Sequence, residues 1–417
     1  MNVLTKKTSK NINCIYYCFK WIYIFAYYAG CICFQLRERA FQFTKCSVAF
    51  TNFIRIAILL GFVGSMIIKC LDNESSKAML DRLSPVLKLT LALECFISAI
   101  TYTVVSALME KNKYKLMRLM QSFHELDHRM QIEFPYVNWN YHKTERKFTS
   151  ITLFLIAYYY IVAFIYVFKL ANCNCDYATT IVFALSYATL TSAPGFITFL
   201  NLGLMDLQRI RFRLIRRLLK QNYASAAHIA GQTEFEMRLA RLIDYCKGYI
   251  QLVLQINDVF GVACGVDLFH DFAILTSMTF LVCQRATESN ARLEEYTSTL
   301  LFMLTRMYKV TIYAIYGHVA HKERQNCSHE AIMCGNYFSR SKTIRINLEA
   351  FLHWRMHNTY SLLIGKVTRC NLALLYSIFN SIISSVIILI QLQFQQNSIT
   401  TTRSKNHGMM YTGIRKS

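Results

Sequence analysis

Proline and glycine are scarce in this chain, with three prolines and 14 glycines among 417 residues. That leaves few turns for a loop-rich β architecture and favours long helices. Charge is scarce too: Asp, Glu, Lys and Arg make up 17% of the residues against 54% hydrophobic ones, and the mean hydropathy is positive. A water-soluble chain needs more polar surface than this, so the natural solvent is a lipid bilayer. Acidic residues are the rarer charge, 24 against 46 Lys and Arg, for a net charge of +22. Such an excess can signal nucleic acid, but here the basic residues cluster between apolar stretches and not on one amphipathic face. They are topology signals, and no nucleic-acid partner is expected. The phosphate-binding, zinc-protease, serine-hydrolase and kinase signatures are all missing, which argues against an enzyme. The 15 cysteines form no CxxC pair and no His/Cys zinc spacing, so neither a metal nor another cofactor is expected. Cys173 and Cys175 flank Asn174 in a short loop expected outside the cell, where a disulfide is chemically allowed.

The sequence predicts an all-α, polytopic membrane protein. Seven stretches approach the roughly 20 apolar residues that a helix needs to cross about 30 Å of hydrocarbon. They are residues 47–68, 85–109, 149–168, 177–204, 260–283, 297–320 and 371–394. Residues 14–35 are also apolar, but their density of Tyr, Trp and Cys suits an interfacial or re-entrant element, and Lys20 interrupts any signal-peptide pattern. Basic residues alternate between connections. Lys111, Lys113, Lys115, Arg118, Arg129, Lys143, Arg146 and Lys147 follow the second span, and Arg209, Arg211, Arg213, Arg216 and Arg217 lead a similar group after the fourth. The intervening loops are poor in them, Lys169 standing alone between the third and fourth spans. The positive-inside rule then puts residues 1–46 in the cytoplasm and the 395–417 tail outside, as a disordered extracellular segment. Of two glycosylation sequons, Asn73 falls outside and Asn326 inside, so Asn73 alone is open to modification. Leu116, Leu119, Met120, Phe123, Leu126 and Met130 recur every three or four residues, which makes the cytoplasmic connections helical extensions of the spans.

Polar groups inside the spans stand out, because a charge at mid-bilayer costs a few kcal/mol or more without a partner. Asp267, His270 and Asp271 share one face of the fifth span, at i, i+3 and i+4. Arg55 in the first span lies at a depth matching Asp267, which permits an ion pair between them. The stripe serves either as interhelical pairing or as an ion- or ligand-contacting site, and Glu94 in the second span has the same two readings. Tyr158, Tyr159 and Tyr160 run consecutively in the third span, with Tyr102 and Tyr187 in neighbouring spans. They are either packing residues or the lining of an aromatic pocket for small, mostly apolar ligands.

Near the C-terminus, Leu348-Glu349-Ala350-Phe351 precedes Tyr360-Ser361-Leu362 and then a last span ending Ile388-Leu389-Ile390-Gln391-Leu392-Gln393-Phe394. Together with Tyr27-Tyr28-Ala29-Gly30-Cys31, Lys115-Leu116-Met117-Arg118-Leu119 and Ile256-Asn257-Asp258-Val259-Phe260-Gly261, this resembles the divergent insect gustatory receptors, relatives of the odorant receptors. That family closes its seventh helix with Thr-Tyr, an apolar run and Gln-Phe; here Gln393 and Phe394 match, while Val386 and Ile387 replace the Thr and Tyr and Gln391 interrupts the run. The resemblance implies a taste receptor that is a ligand-gated, non-selective cation channel, a homo- or hetero-tetramer with other such receptors. It would sit in the plasma membrane of a taste-neuron dendrite and mediate acceptance or avoidance of small-molecule tastants, bitter compounds being one candidate class. Carried over by position, Ile390, Gln393 and Phe394 lie near the gate. The alternatives are a seven-helix G-protein-coupled receptor, which needs an external N-terminus, and a secondary transporter, which needs broken helices of the kind hinted at by Pro194-Gly195 alone.

Overall fold

The computed structural model describes residues 15–37, 40–71, 85–137, 139, 141–171, 177–226, 232–286, 293–337, 342–357, 361–365 and 367–413. Asn73, Cys173 and Cys175 lie outside them. The described chain is almost entirely helical. Two short helices, α1 (Ile15–Cys18) and α2 (Lys20–Tyr28), lead into the strands β1 (Gln35–Arg37) and β2 (Ala40–Gln42). Then come α3 (Lys45–Leu71), α4 (Pro85–Lys111), α5 (Lys113–Glu133), α6 (Tyr141–Ala171), α7 (Tyr177–Ala226), α8 (Gln232–Ala286), α9 (Leu293–Tyr337) and α10 (Lys342–His357). A second hairpin, β3 (Leu363–Ile364) with β4 (Thr368–Arg369), joins α10 to α11 (Leu372–Gly413). The two small antiparallel sheets are an addition to the all-helical expectation.

Six of the helices contain a stretch long and apolar enough to cross a membrane: Lys45–Ile68, Ala92–Lys111, Tyr141–Ile165, Tyr177–Asn222, Glu234–Gln284 and Leu372–Leu392. The expected span at 297–320 is not among them; it lies within α9, where Arg306 and Lys309 dilute its hydropathy. With 50, 55 and 45 residues, α7, α8 and α9 far exceed the roughly 20 that a bilayer requires. Their surplus forms helical extensions, against which α5 packs with Leu116, Leu119, Met120, Phe123 and Met130 buried, as the spacing predicts.

Burial follows hydrophobicity around each helix. Helix α7 is central: Tyr187, Leu190, Ile197, Leu200 and Leu204 are enclosed by α8, α9, α6, α3 and α4. Helices α3 and α4 instead turn Phe53, Ile56, Leu60, Leu89, Leu93 and Phe96 outward, an apolar belt of the kind that lipid covers. Segments α1 and α2, four and nine residues long, are too short to span. Ile15, Ile22 and Ala26 within them and Phe19 between them are buried, and the segments lie against α6 and α7. Helix α11 continues past the last span to Gly413.

Candidate functional site

The polar stripe of α8 faces α9 and is met there by two cations that the sequence reading left unassigned. Lys309 Nζ donates to Asp267 Oδ1 and Oδ2, both at 2.9 Å, and pairs with Asp271 Oδ2 at 2.6 Å. Arg306 NH1 reaches Asp271 Oδ1 at 2.8 Å. Two acids and two bases thus neutralise one another in the protein interior, with Asp267, Asp271 and Arg306 fully buried. Such a cluster requires complete pairing, because removing one partner strands the other charge at a cost of about 3–5 kcal/mol. Thr198 on α7 adds a hydroxyl donor to Asp267 Oδ2 at 2.5 Å, and Ser98 on α4 bonds His270 Nε2 at 2.9 Å. Also on α4, Glu94 accepts from the Tyr187 hydroxyl of α7.

This arrangement corrects the expected pairing of Arg55 with Asp267. Arg55 reaches Gly30 O at 2.6 Å, Asn52 Oδ1 at 2.9 Å and the Glu110 carboxylate of α4. It ties the turn after α2 to α3 and α4. Asp267, His270 and Asp271 bring three possible ligand atoms within 4.8 Å of one another. A metal ion there would have to displace Lys309 and sit beside Arg306, so ion pairing accounts for the stripe without one.

Next to this network, a narrow cleft of about 30 Å³ opens between α6, α7 and α9. Leu155, Ile156, Phe196 and Phe199 supply apolar walls, and Gly195 and Lys309 stand side by side at one end. Three hydroxyls in the lining, Thr152 Oγ1, Tyr159 OH and Ser192 Oγ, have no hydrogen-bond partner among the described residues. Of the five tyrosines singled out from the sequence, Tyr159 lines the cleft. Its ring also lies 4.9 Å from the Arg306 guanidinium, so cleft and ion network share a wall. The other four are engaged elsewhere: Tyr102 donates to Ala29 O at 2.8 Å, Tyr158 to Leu301 O at 3.4 Å, Tyr160 bonds Thr189 Oγ1 at 3.1 Å, and Tyr187 holds Glu94.

Below the network, α8 and α9 hold the hairpin that leads into α11. Asn257 Nδ2 donates to Ser361 O at 2.7 Å, and its Oδ1 accepts from Leu363 N at 2.9 Å. One turn on, Gly261 O accepts from Gly365 N at 2.7 Å. Gly365 has φ +60°, and its backbone lies so near Gly265 that a Cβ there would come within 3.0 Å of it. Helix α11 then packs Ile378, Ile382, Val386 and Ile390 around Leu275 of α8. Phe394 is exposed, and Gln393 lies within α11 with its side chain outside the described residues.

Sequence reasoning missed Arg306 and Lys309. The available signal was a pair of bases at i and i+3 in an apolar stretch, matching the i, i+4 acids of the preceding span. Asn257 was noticed as part of a motif, but its task depends on a hairpin more than 100 residues away.

Comparison with known proteins places this architecture. A family model described as the 7tm chemosensory receptor matches residues 12–396. The protein named gustatory receptor 47b of Drosophila melanogaster is 31% identical over 386 residues, 92% of each chain. Gustatory receptor 57a of the same fly is 22% identical over 355 residues, covering 82% of this chain and 83% of that one. Among solved structures, the insect olfactory receptor OR5 from Machilis hrabei superposes with a TM-score of 0.58 at 13% identity, over 89% of this chain and 97% of its own. The same receptor in complex with eugenol gives 0.54 at 13% identity, over 90% and 97%.

Proposed function

The chain belongs to the 7tm chemosensory receptor family, among the insect gustatory receptors, and from that premise we propose that it is a ligand-gated, non-selective cation channel that detects tastants at the plasma membrane of a taste neuron. Seven helices cross the bilayer. The span that joins the six apolar ones is the sixth in chain order, within α9, and it tolerates Arg306 and Lys309 because α8 neutralises them. The N-terminus and the helical extensions are cytoplasmic, and α11 ends outside. That orientation is opposite to the one a G-protein-coupled receptor needs.

The observation that carries the channel reading is α11. One side packs on α8 and α9, while Tyr376, Ile383, Ile387 and Phe394, spaced by seven, four and seven, form an exposed stripe along the helix. Four copies brought together at this stripe would line a pore whose apolar side chains close it by dewetting, near Ile390, Gln393 and Phe394. The ligand site is the cleft between α6, α7 and α9. A ligand there touches Tyr159 and Lys309, and hence the ion network of α8. The lower turns of α8 grip the hairpin that starts α11, through Asn257 and Gly261. A shift of α8 against α9 therefore reaches the pore helix through hydrogen bonds, without a long flexible loop.

The test is current. The chain, expressed alone and with other gustatory receptors, is expected to give tastant-evoked cation currents. At matched surface expression, Gln393→Glu should raise relative calcium permeability and Gln393→Lys should suppress current. Phe394→Ala should raise current in the absence of ligand by wetting the constriction. Unchanged selectivity and conductance in both charge variants would remove Gln393 from the pore.

A further inference from the structure

Where α9 passes α10 and the β3–β4 hairpin, positive charge gathers with no acid to balance it. Gly317 of α9 lies so near the end of the hairpin that a Cβ there would come 2.8 Å from Cys370 O, and Cys370 Sγ donates to Tyr313 O at 3.3 Å. This contact sets Arg369, the residue before Cys370, beside the turn of α9 that carries His318 and His321, and both Arg369 and His318 act on the His321 ring. One turn further, Arg324 NH2 donates to His321 Nδ1 at 2.8 Å, and Arg355 of α10, which packs on α9, is the strongest charge acting on that guanidinium. Among the described residues none of these five groups forms an ion pair with a carboxylate. Glu323 is taken by Arg213 and Arg216, Glu330 by Lys220 and Glu349 by Arg345. Burial first and then Arg355 push the Arg324 guanidinium down to about 10; the Cys246 thiol opposes them, and no carboxylate does. Arg211, also a buried base of the extensions, has Asp127.

From this imbalance we infer that the junction of α9, α10 and the hairpin is a binding site for a multiply charged phosphate ester, carried by the headgroup of a phosphorylated inositol lipid or free in solution. A half-buried guanidinium without a counter-ion is costly, and phosphate oxygens fit the planar fork of arginine. A carboxylate brings one charge and leaves two of the three arginines unbalanced, whereas each phosphomonoester brings close to two at neutral pH. The cluster opens outward: Arg324 and Arg355 are half-buried and Arg369 is exposed, so an anion enters without parting the helices. Depth favours the lipid. Arg369 lies three residues ahead of the apolar stretch Leu372–Leu392, and His321 directly follows the stretch 297–320. On the reading of α9 and α11 as successive spans, the cluster therefore sits at headgroup level. A phosphate held there bridges α9, α10 and the strand that leads into α11.

Binding to the purified full chain in detergent tests this without current, so the site and the channel stand or fall separately. The probes are short-chain phosphatidylinositol bisphosphate, short-chain phosphatidylserine and inositol trisphosphate, each titrated against the thermal midpoint. The bisphosphate lipid is expected to bind saturably and at least about tenfold more tightly than phosphatidylserine. Arg324→Gln, Arg355→Gln and Arg369→Gln should each weaken it by about three- to thirtyfold. Arg345→Gln, which removes a base of α10 already paired with Glu349, should change it by about twofold at most. Without phosphate, Arg355→Gln and Arg369→Gln should melt no lower than the parent, because each removes an unbalanced charge. Inositol trisphosphate binding as tightly as the lipid supports the site with a soluble ester as its source, and much weaker binding supports the lipid. Failure of both phosphate probes to bind saturably overturns the inference, as does an Arg345→Gln loss equal to the other three. A lower midpoint of the ligand-free variants, together with a smaller particle in size exclusion and no response to phosphate, also overturns it, because the arginines would then meet carboxylates of a second copy.

Discussion

Two buried ion clusters hold this protein together, and they are finished to different degrees. In the extensions, Asp127 of α5 receives Arg211 Nε at 3.0 Å and NH2 at 2.8 Å, together with the hydroxyls of Tyr141 and Tyr249. The Arg211 guanidinium lies 4.6 Å from the Trp139 ring, and both ions are buried. Every side of that pair is occupied. Between α8 and α9, the cluster of Asp267, Asp271, Arg306 and Lys309 balances its charge but leaves Arg306 Nε and NH2, His270 Nδ1 and Glu94 Oε2 without hydrogen-bond partners among the described residues. A saturated network has one arrangement, whereas one with spare donors and acceptors can exchange partners at lower cost. The difference separates a staple for the extensions from a joint next to the apolar cleft.

Removing one ion from the saturated cluster should have the largest effect. Asp127→Ala strands a buried Arg211 and is expected to cost about 3–5 kcal/mol, enough to abolish folded, surface-expressed protein. Adding Arg211→Met should not restore it, because Tyr141 and Tyr249 still lack their acceptor. Fluorescence-detected size exclusion of detergent extracts measures both. Recovery in the double variant would mean that the tyrosines contribute little and that the two clusters are alike.

The membrane cluster should respond differently. Lys309→Met leaves an excess carboxylate and lowers surface expression, and Asp267→Asn in the same chain restores the charge balance while keeping an acceptor for Thr198. A double-mutant cycle is expected to show about 1–3 kcal/mol of coupling. Arg55→Ala combined with Asp267→Ala should be additive, since Arg55 belongs to Glu110. Strong coupling in that second cycle would contradict the pairing described here. A smaller effect is expected at the hairpin. Asn257→Ala removes two hydrogen bonds of about 1 kcal/mol each and should reduce the maximal ligand-evoked current without changing ligand affinity. If affinity and current fall together, Asn257 supports the whole bundle and not its connection to α11.

Much of this was legible in the sequence, for physical reasons specific to each element. The i, i+3, i+4 stripe of α8 and the apolar period of α5 are local, and a helix maps local spacing directly onto a face. The long extensions showed themselves as basic amphipathic continuations of apolar runs. What escaped is non-local. Arg55 was paired by depth along the membrane normal, a coordinate that says nothing of the Glu110 carboxylate that meets it from α4. Arg306 and Lys309 were passed over because two charges do not stop a stretch from looking apolar, and their partners lie 35 and 42 residues away on another helix. The tyrosine run gave one cleft residue, Tyr159, because consecutive residues on a helix point about 100° apart. The hydroxyls of Thr152 and Ser192 carry no signal until the helices are packed.

The smallest effect expected is a titration, and it lies in the extensions, where the comparison predicts a rigid region. His321 in α9 is half-buried, and its Nδ1 accepts from Arg324 NH2 at 2.8 Å, which requires a neutral ring. Burial first, then Arg324, Arg369 and His318, push it from 6.5 down to about 4. The unfolded chain therefore binds a proton at a higher pH than the folded one. Stability contributed by the neutral ring is complete above about pH 6.5, declines as pH falls below that, and levels off near pH 4. His321→Asn keeps an acceptor for Arg324 but does not titrate. Thermal melting of both proteins between pH 7.5 and 4.5 should give a gap in midpoint that is constant down to about 6.5 and then shifts steadily in favour of the variant, by a few degrees at most because the ring is partly exposed. Parallel curves would mean that His321 turns into solvent on protonation, and that the α9 extension around it is looser than the packing at Asp127 implies.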